Sequence, residues 1–238
     1  MYYFGGKTRI ASQIVRFLNL YHGTRVFVEP FVGGASIVSR MTGERHAYDL
    51  CEPLITLYQA IQQGWMPPEK VSKEDYLWLK GHQDPSDPMT AFAGFGCSFA
   101  GKYFRGYAYD AAGRNFATIA QRSLLRKAPL LRDVRFAVAD YATLNYENAL
   151  IYCDPPYAST EPYKSVEEFD HGKFWQVMRD WSQHNVVLIS EYNAPSDFKA
   201  VLQIPTSTYI RNDQGVLNRV ECLFAHANSE PALIHFSI

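Results

Sequence analysis

Ala149-Leu150-Ile151-Tyr152-Cys153-Asp154-Pro155-Pro156-Tyr157 runs from apolar and aromatic residues straight into an acid, two prolines and an aromatic ring. The first five residues form a short continuous apolar run closed by proline, the pattern of a strand buried on both faces. Such a strand belongs to a parallel sheet, which presents its functional groups in the loops beyond the strands' carboxyl ends. Proline fixes φ and removes an amide donor, so Pro155 and Pro156 hold this loop rigid with their carbonyls left to accept hydrogen bonds. Asp154 adds an ionised acceptor and Tyr157 a flat face, and the combination suits an amino group. The other reading is a rigid turn with a capping aspartate. A proline pair alone is weak evidence, since Pro67-Pro68 supplies a second one.

Outward from this loop the chain alternates. Arg25-Val26-Phe27-Val28, His46-Ala47-Tyr48, Val134-Arg135-Phe136-Ala137-Val138 and Val186-Val187-Leu188-Ile189-Ser190 read as further buried strands. Helical patterns fall at 8–20, 35–41, 53–63 and 115–127, with one more after Asp170, a suitable N-cap. In that last segment Phe174, Val177, Met178 and Trp181 recur at the spacing of one helix face. The alternation predicts an α/β fold: a Rossmann-like, mostly parallel sheet with helices on both faces. Residues 202–204 with 208–210, and 220–225, are joined by the turn-rich Arg211-Asn212-Asp213-Gln214-Gly215 and predict a terminal antiparallel hairpin.

The stretch 64–132 interrupts this rhythm with Pro67-Pro68, Asp84-Pro85-Ser86-Asp87-Pro88 and a glycine- and aromatic-rich tract over 92–113. It reads as an inserted lobe, leaving 1–63 and 133–238 as the core. Phe92, Phe95, Phe99, Tyr103, Phe104, Tyr107 and Tyr109 interleave there with glycines and with Lys102 and Arg105. Between 101 and 135 eight basic residues (Lys102, Arg105, Arg114, Arg122, Arg126, Lys127, Arg132, Arg135) face two acids (Asp110, Asp133), a balance of 8 − 2 = +6. The aromatics are either stacking platforms or the lobe's own small core, and the cations either phosphate contacts or a solvated face.

Composition limits the function classes. The 238 residues, 47% hydrophobic and 20% charged, suit one large core and not a disordered chain. The net charge of −1 decides nothing about a polyanionic partner, because binding depends on local fields. Cys51, Cys97, Cys153 and Cys222 stand singly, which predicts buried reduced thiols and no metal site. With neither a signal pattern nor a bilayer-length apolar run, a cytoplasmic protein without membrane association is expected.

Taken together, the segments resemble the Dam-like family of S-adenosylmethionine-dependent DNA adenine-N6 methyltransferases. The resemblance implies that Asp154, Pro155, Pro156 and Tyr157 form the catalytic loop that holds the target amine. Tyr3-Phe4-Gly5-Gly6-Lys7 is similar to the family's amino-terminal cofactor segment, and Glu29-Pro30-Phe31-Val32-Gly33-Gly34-Ala35 to its glycine loop. Tyr48-Asp49 carries the acid that binds the cofactor's ribose, and Ala139-Asp140-Tyr141 resembles the segment at its adenine. The implied cofactor residues are thus Tyr3, Lys7, Phe31, Gly33, Gly34, Asp49, Asp140 and Tyr141. Ser190-Glu191-Tyr192 and Arg219-Val220-Glu221-Cys222-Leu223-Phe224 resemble later segments. Two positions depart from the pattern: Ala35 ends a loop that commonly reads Phe-x-Gly-x-Gly, and Cys51 stands where asparagine is often found.

The family reading implies duplex DNA as partner, with the adenine flipped out of the stack and Lys102, Arg105 and Arg114 on the DNA. A monomer or weak dimer without a metal, and a solitary methylase without a fused nuclease, are the expectations. Cytosine N4 in DNA or adenine in RNA presents the same amine chemistry and remains the alternative. Asparagine is typical of protein-methylating relatives, so Asp154 favours a nucleobase. A nicotinamide oxidoreductase lacks its Gly-x-Gly-x-x-Gly fingerprint here. Cytosine-C5 transfer needs a thiolate, normally after proline, and no cysteine follows one. A non-catalytic DNA-binding module is disfavoured by the intact loop.

Overall fold

The computed structural model describes residues 3, 5–110, 112–157, 169–209, 216–227 and 229, with backbone only at 207–209 and 216–218. Seven strands form one sheet: β1 (Phe27–Glu29), β2 (Arg45–Asp49), β3 (Val134–Val138), β4 (Leu150–Cys153), β5 (Val186–Glu191), β6 (Phe198–Tyr209) and β7 (Val216–His226). Their order is β3-β2-β1-β4-β5-β7-β6. The first five strands run parallel. β7 runs antiparallel to both β5 and β6, which makes the expected terminal hairpin. The turn at 211–215, Ile210 and Phe4 lie outside the described residues. The sheet is Rossmann-like, and strand order reverses at β1, where a crevice opens beyond the carboxyl ends of β1 and β4.

Side-chain alternation along the strands builds two cores. Phe27, Leu150, Tyr152 and Leu188 join the larger one, with α1 (Ala11–His22), α2 (Glu52–Gln62) and α5 (Phe116–Leu131). Val28, Ile151, Cys153, Val187 and Ile189 face the other way, against α6 (His171–Trp181) through Phe174, Met178 and Trp181. Asp170 caps α6 as expected, its Oδ1 accepting from the Lys173 amide at 2.9 Å.

Between α2 and α5 lie α3 (Lys73–His82), α4 (Pro88–Ala91), a π turn over Phe92–Gly96 and a 3-10 turn over Phe99–Gly101. α3 starts on a reciprocal capping box between Ser72 and Asp75. Tyr76, Leu79, Phe92 and Phe95 from this region are buried in the larger core. α5 packs on α2 and carries Lys127 toward the loop after β1.

Two local expectations are corrected. No helix spans 35–41; only a 3-10 turn forms, over Val38–Arg40. Gly33 and Ala35 stand at φ 42° and 50°, a left-handed stretch no helix can include. The turn begins only where the buried Glu29 carboxylate accepts from the Val38 amide at 2.8 Å. Residues 198–209 form one strand through Pro205, because β6 is an edge strand and its outer side needs no amide donor.

Candidate active site

β4 ends at Cys153 and delivers Asp154 to the crevice. Its carboxylate meets Lys7, whose Nζ lies 2.9 Å from Asp154 Oδ1 and 3.3 Å from Glu221 Oε1. Lys7 Nζ also donates to Tyr157 Oη at 2.5 Å, and that hydroxyl donates to Glu221 Oε1. Three distant segments therefore converge: the amino-terminal stretch, the loop after β4, and β7. Side-chain exposures of 10% for Lys7, 19% for Asp154 and 7% for Glu221 place the group largely out of water. Burial pulls the Lys7 ammonium down, but the carboxylates of Asp154 and Glu221 outweigh it and hold it above its ordinary value. Burial pushes the Asp154 carboxyl up, against the lowering pull of Lys7 and with Glu221 adding to the rise. Tyr157 is driven far above the phenol range by burial and both carboxylates, so it stays a donor. Pro155 is buried and Pro156 exposed. The Tyr157 ring packs edge-on against Tyr192, 4.9 Å between centroids.

The loop after β1 is fixed by Asp49. Asp49 Oδ2 accepts from the Gly33 amide at 3.0 Å and Oδ1 from the Cys51 amide at 3.0 Å. Burial still raises its carboxyl above the usual range. Tyr58 Oη donates to the Gly33 carbonyl at 2.7 Å, and Lys127 Nζ donates to the Gly34 carbonyl. Tyr3 lies across the glycines: a Cβ on Gly33 would stand 2.9 Å from Tyr3 Cε1, and one on Gly34 3.1 Å from Tyr3 Cβ. Gly33 thus meets two demands, the positive φ and the ring above it. Ala35 keeps a left-handed φ although it carries a Cβ.

Phe31, Tyr141, Phe169 and Phe174 form an aromatic cluster beside the ends of β1 and β3, Phe31 lying 5.2 Å from Tyr141 and 6.0 Å from Phe169. Asp140 Oδ1 accepts from the Ala142 amide at 2.9 Å, capping the turn that holds Tyr141.

The site residues named from the sequence therefore fall into groups. Phe31, Gly33, Gly34, Asp49 and Tyr3 come together at the loop after β1, with Asp140 and Tyr141 on its flank. Lys7, placed by the sequence reading with the cofactor segment, sits on Asp154 and Tyr157. Of the lobe residues, Lys102 is half-buried and Arg105 exposed, in the excursion between the antiparallel bridge partners Ser98 and Tyr107. Arg114 is exposed and ion-paired with Asp110 four residues before it.

The aromatics divide in the same way. Phe92, Phe95 and Phe104 are buried, and Tyr107 donates its hydroxyl to the Val71 carbonyl at 2.8 Å. Phe99 and Tyr109 are 63% and 83% exposed. Among the eight basic residues, Lys127 turns inward to Gly34 and Arg135 pairs with Glu44 at 3.4 Å, so neither belongs to a free cationic face. The thiols of Cys51 and Cys97 are pushed up to about 12 by burial, and burial likewise raises Cys153 well above the ordinary thiol value. None of the three presents a thiolate.

Residues 3–82 match the family model described as D12 class N6 adenine-specific DNA methyltransferase. Two curated relatives, each named DNA adenine methylase and from two strains of Vibrio cholerae serotype O1, are 28% identical over 186 residues. The alignment covers 65% of this chain and spans 63% of the relatives' length. Among solved structures, an rRNA methyltransferase from Streptomyces viridochromogenes superposes with a TM-score of 0.45 at 10% identity. That match covers 97% of this chain and 88% of the other.

Glu221 and Lys127 are site residues to which the sequence reading gave no role. Glu221 had a signal, a lone acid inside the apolar run Val220-Glu221-Cys222-Leu223-Phe224, where a buried carboxylate needs a partner. Lys127 had none, being one cation among several on a helix. Among the described residues no cluster of three metal-ligating side chains occurs. Among them, too, no helix is long and apolar enough to cross a membrane.

Proposed function

We propose that this chain transfers a methyl group from S-adenosylmethionine to the exocyclic N6 amine of adenine in DNA, acting on a base flipped out of the duplex. The observation that carries the reading is the carboxylate of Asp154. It stands at the switch point of the sheet, followed by two prolines without amide donors, and it already holds a nitrogen cation at 2.9 Å. The likeness to the adenine-specific family over residues 3–82 supports adenine as the acceptor among amines.

The residues after β1 and β2 suit the cofactor. Asp49 keeps lone pairs for ribose hydroxyls beyond the two amide bonds it accepts, the glycines permit close approach, and Phe31 with Tyr141 offers an apolar face for adenine. When bound, S-adenosylmethionine supplies an electrophilic sulfonium methyl. The chain's own residues prepare the acceptor. The lone pair of an aryl amine is delocalised into the purine; hydrogen bonds from its two N–H groups to the Asp154 carboxylate and the Pro155 carbonyl would draw it toward a tetrahedral, nucleophilic nitrogen, and the Asp154 carboxylate would accept the proton that nitrogen sheds once the methyl has left sulfur. Positioning provides the remaining acceleration, with no covalent enzyme intermediate.

Flipping costs about a few kcal/mol of stacking and pairing. Residues 64–132, as a target-recognition lobe, offset that cost through Lys102, Arg105 and the exposed rings of Phe99 and Tyr109. A cytoplasmic location follows from a chromosomal or phage DNA substrate.

Labelled methyl transfer to DNA tests the reading. Label is expected in N6-methyladenine for the wild type and absent in Asp154→Ala, with cofactor affinity retained. Label in cytosine or only in RNA would replace the acceptor, and full turnover in Asp154→Ala would remove the loop from the chemistry.

A further inference from the structure

Lys7 stands where the amine-transfer reading needs the substrate. A carboxylate that already holds an ammonium at 2.9 Å is a poorer acceptor for a neutral amine, because charge-assisted hydrogen bonds are the stronger kind. A neutral amine displaces the ammonium only if a second anion is ready to take it. Glu221 meets that description. Its Oε1 is 3.3 Å from Lys7 Nζ against 2.9 Å for Asp154, so a small swing of the lysine exchanges one partner for the other. The Tyr157 hydroxyl bridges the route, donating to Glu221 while accepting from Lys7 at 2.5 Å. The backbone of Glu221 is anchored, since it lies in β7 beside Cys222, which is in register with Glu191 of β5.

We propose that Glu221 is a positioning residue: it takes over the Lys7 ammonium when the acceptor amine claims Asp154, freeing that carboxylate to bind the amine. The proposal rests on the methyl-transfer reading above and adds a residue to it. Two carboxylates and one cation leave the cluster one negative charge in excess, and that charge lets the lysine change partners without stranding either acid. The alternative is that Glu221 only neutralises Lys7 as part of the packed core. In that case its loss costs stability but acts independently of Lys7 in turnover.

A double-mutant cycle on the full chain separates the two. Transfer of labelled methyl to duplex DNA is measured for wild type, Glu221→Gln, Lys7→Met and the double variant, with Glu221→Asp as the conservative control. Glu221→Gln is expected to lower kcat by about 3- to 100-fold, the range of coupling between contacting residues, at unchanged KM for the cofactor. The same substitution in the Lys7→Met background is expected to change kcat much less, and Glu221→Asp to retain most of the rate.

Two further readouts report whether Glu221 shares its charge with Lys7 and Asp154, and the double-mutant cycle decides whether that sharing serves turnover. In Glu221→Gln the acidic limb of the kcat/KM profile shifts to lower pH, since Glu221 is one of the charges raising Asp154. The groups facing Asp154 are Lys7 from the amino-terminal segment, Tyr157 in its own loop, Tyr152 on β4, Glu29 at the end of β1, and Glu221. The Lys7 amine, followed by NMR in the protein without substrate, titrates lower in Glu221→Gln than in wild type. Equal losses in both backgrounds, or an unmoved Lys7 titration, overturn the inference alone. A wild-type chain that labels no DNA overturns the methyl-transfer reading and this inference with it.

Discussion

Replacing Gly94 with alanine tests whether the lobe is packed as tightly as its rings indicate. Gly94 lies in the buried π turn over Phe92–Gly96. A Cβ there would stand 2.4 and 2.7 Å from Tyr103 and 2.9 Å from Phe104. Neither ring has room to retreat: Tyr103 lies 4.7 Å from Phe95 and 4.8 Å from Phe104, which lies 5.3 Å from Tyr76. Overpacking of this kind costs about 1–3 kcal/mol, and the contact distances argue for the upper part of that range. Alanine regains about 1 kcal/mol over glycine through helix propensity. The net expectation is a loss of about 1–2 kcal/mol, which for a chain of this length lowers Tm by about 2–8 °C.

Gly81→Ala is the matched control, because it lies on α3 with nothing within 4 Å of the added Cβ. It is expected to raise Tm by up to about 4 °C through propensity alone. Thermal melts of both variants, with urea titrations, give the comparison. Gly94→Ala in a Tyr103→Ala background should cost less, since two of the three close atoms are gone. A Gly94→Ala that melts at or above wild type would refute the packing argument.

Four further outcomes are expected. Asp49→Ala should raise the cofactor dissociation constant in calorimetry, because it removes the acceptor of the Gly33 and Cys51 amides as well as the proposed ribose contact; an unchanged constant would detach Asp49 from the cofactor. Lys102→Ala and Arg105→Ala should each reduce the slope of log affinity against log salt by about one unit if they meet phosphates. An unmoved slope would place DNA elsewhere. Arg114→Ala should matter less, its guanidinium being paired with Asp110. Lys127 supplies a pH signature: burial, with Arg40 nearby, pulls its ammonium from 10.5 to about 8. The unfolded chain therefore binds more protons between those values, and this group makes stability rise as pH climbs through that window. Urea titrations of wild type and Lys127→Met at pH 7, 8 and 9 should show the variant missing that rise, and parallel curves would count against it.

The strands were legible because each is a short run rich in apolar residues, and five of those runs became β1 to β5 with only end residues shifted; β1, β4 and β5 are buried on both faces, whereas the edge strand β3 exposes Arg135, Ala137 and Val138. The catalytic-loop candidate was legible for the same reason: Asp154 follows directly on β4, and position along the chain fixed its place at the sheet's end. The failures share one cause, backbone or side-chain direction set by contacts far away in sequence. The segment 35–41 has helical spacing, but the left-handed Gly33 and Ala35 delay the turn to Val38, and Glu29 supplies the cap. Ala35 is instructive here. It adopts φ 50° although it carries a Cβ, so the loop keeps a left-handed residue there without glycine.

Lys7 makes the same point for function. Its neighbours Tyr3 and Gly6 belong to a segment that packs over Gly33 and Gly34, so sequence adjacency assigned the lysine to the cofactor. A lysine stem is long, however, and a cation in a largely buried crevice goes where the anions are. Two of them, Asp154 at the end of β4 and Glu221 on β7, meet there only because β7 inserts antiparallel beside β5. No local pattern announces that insertion to a reader of residues 1–7. The acid in β7 was the available clue: a carboxylate inside a strand this buried needs a partner, and Lys7 with Tyr157 supplies it.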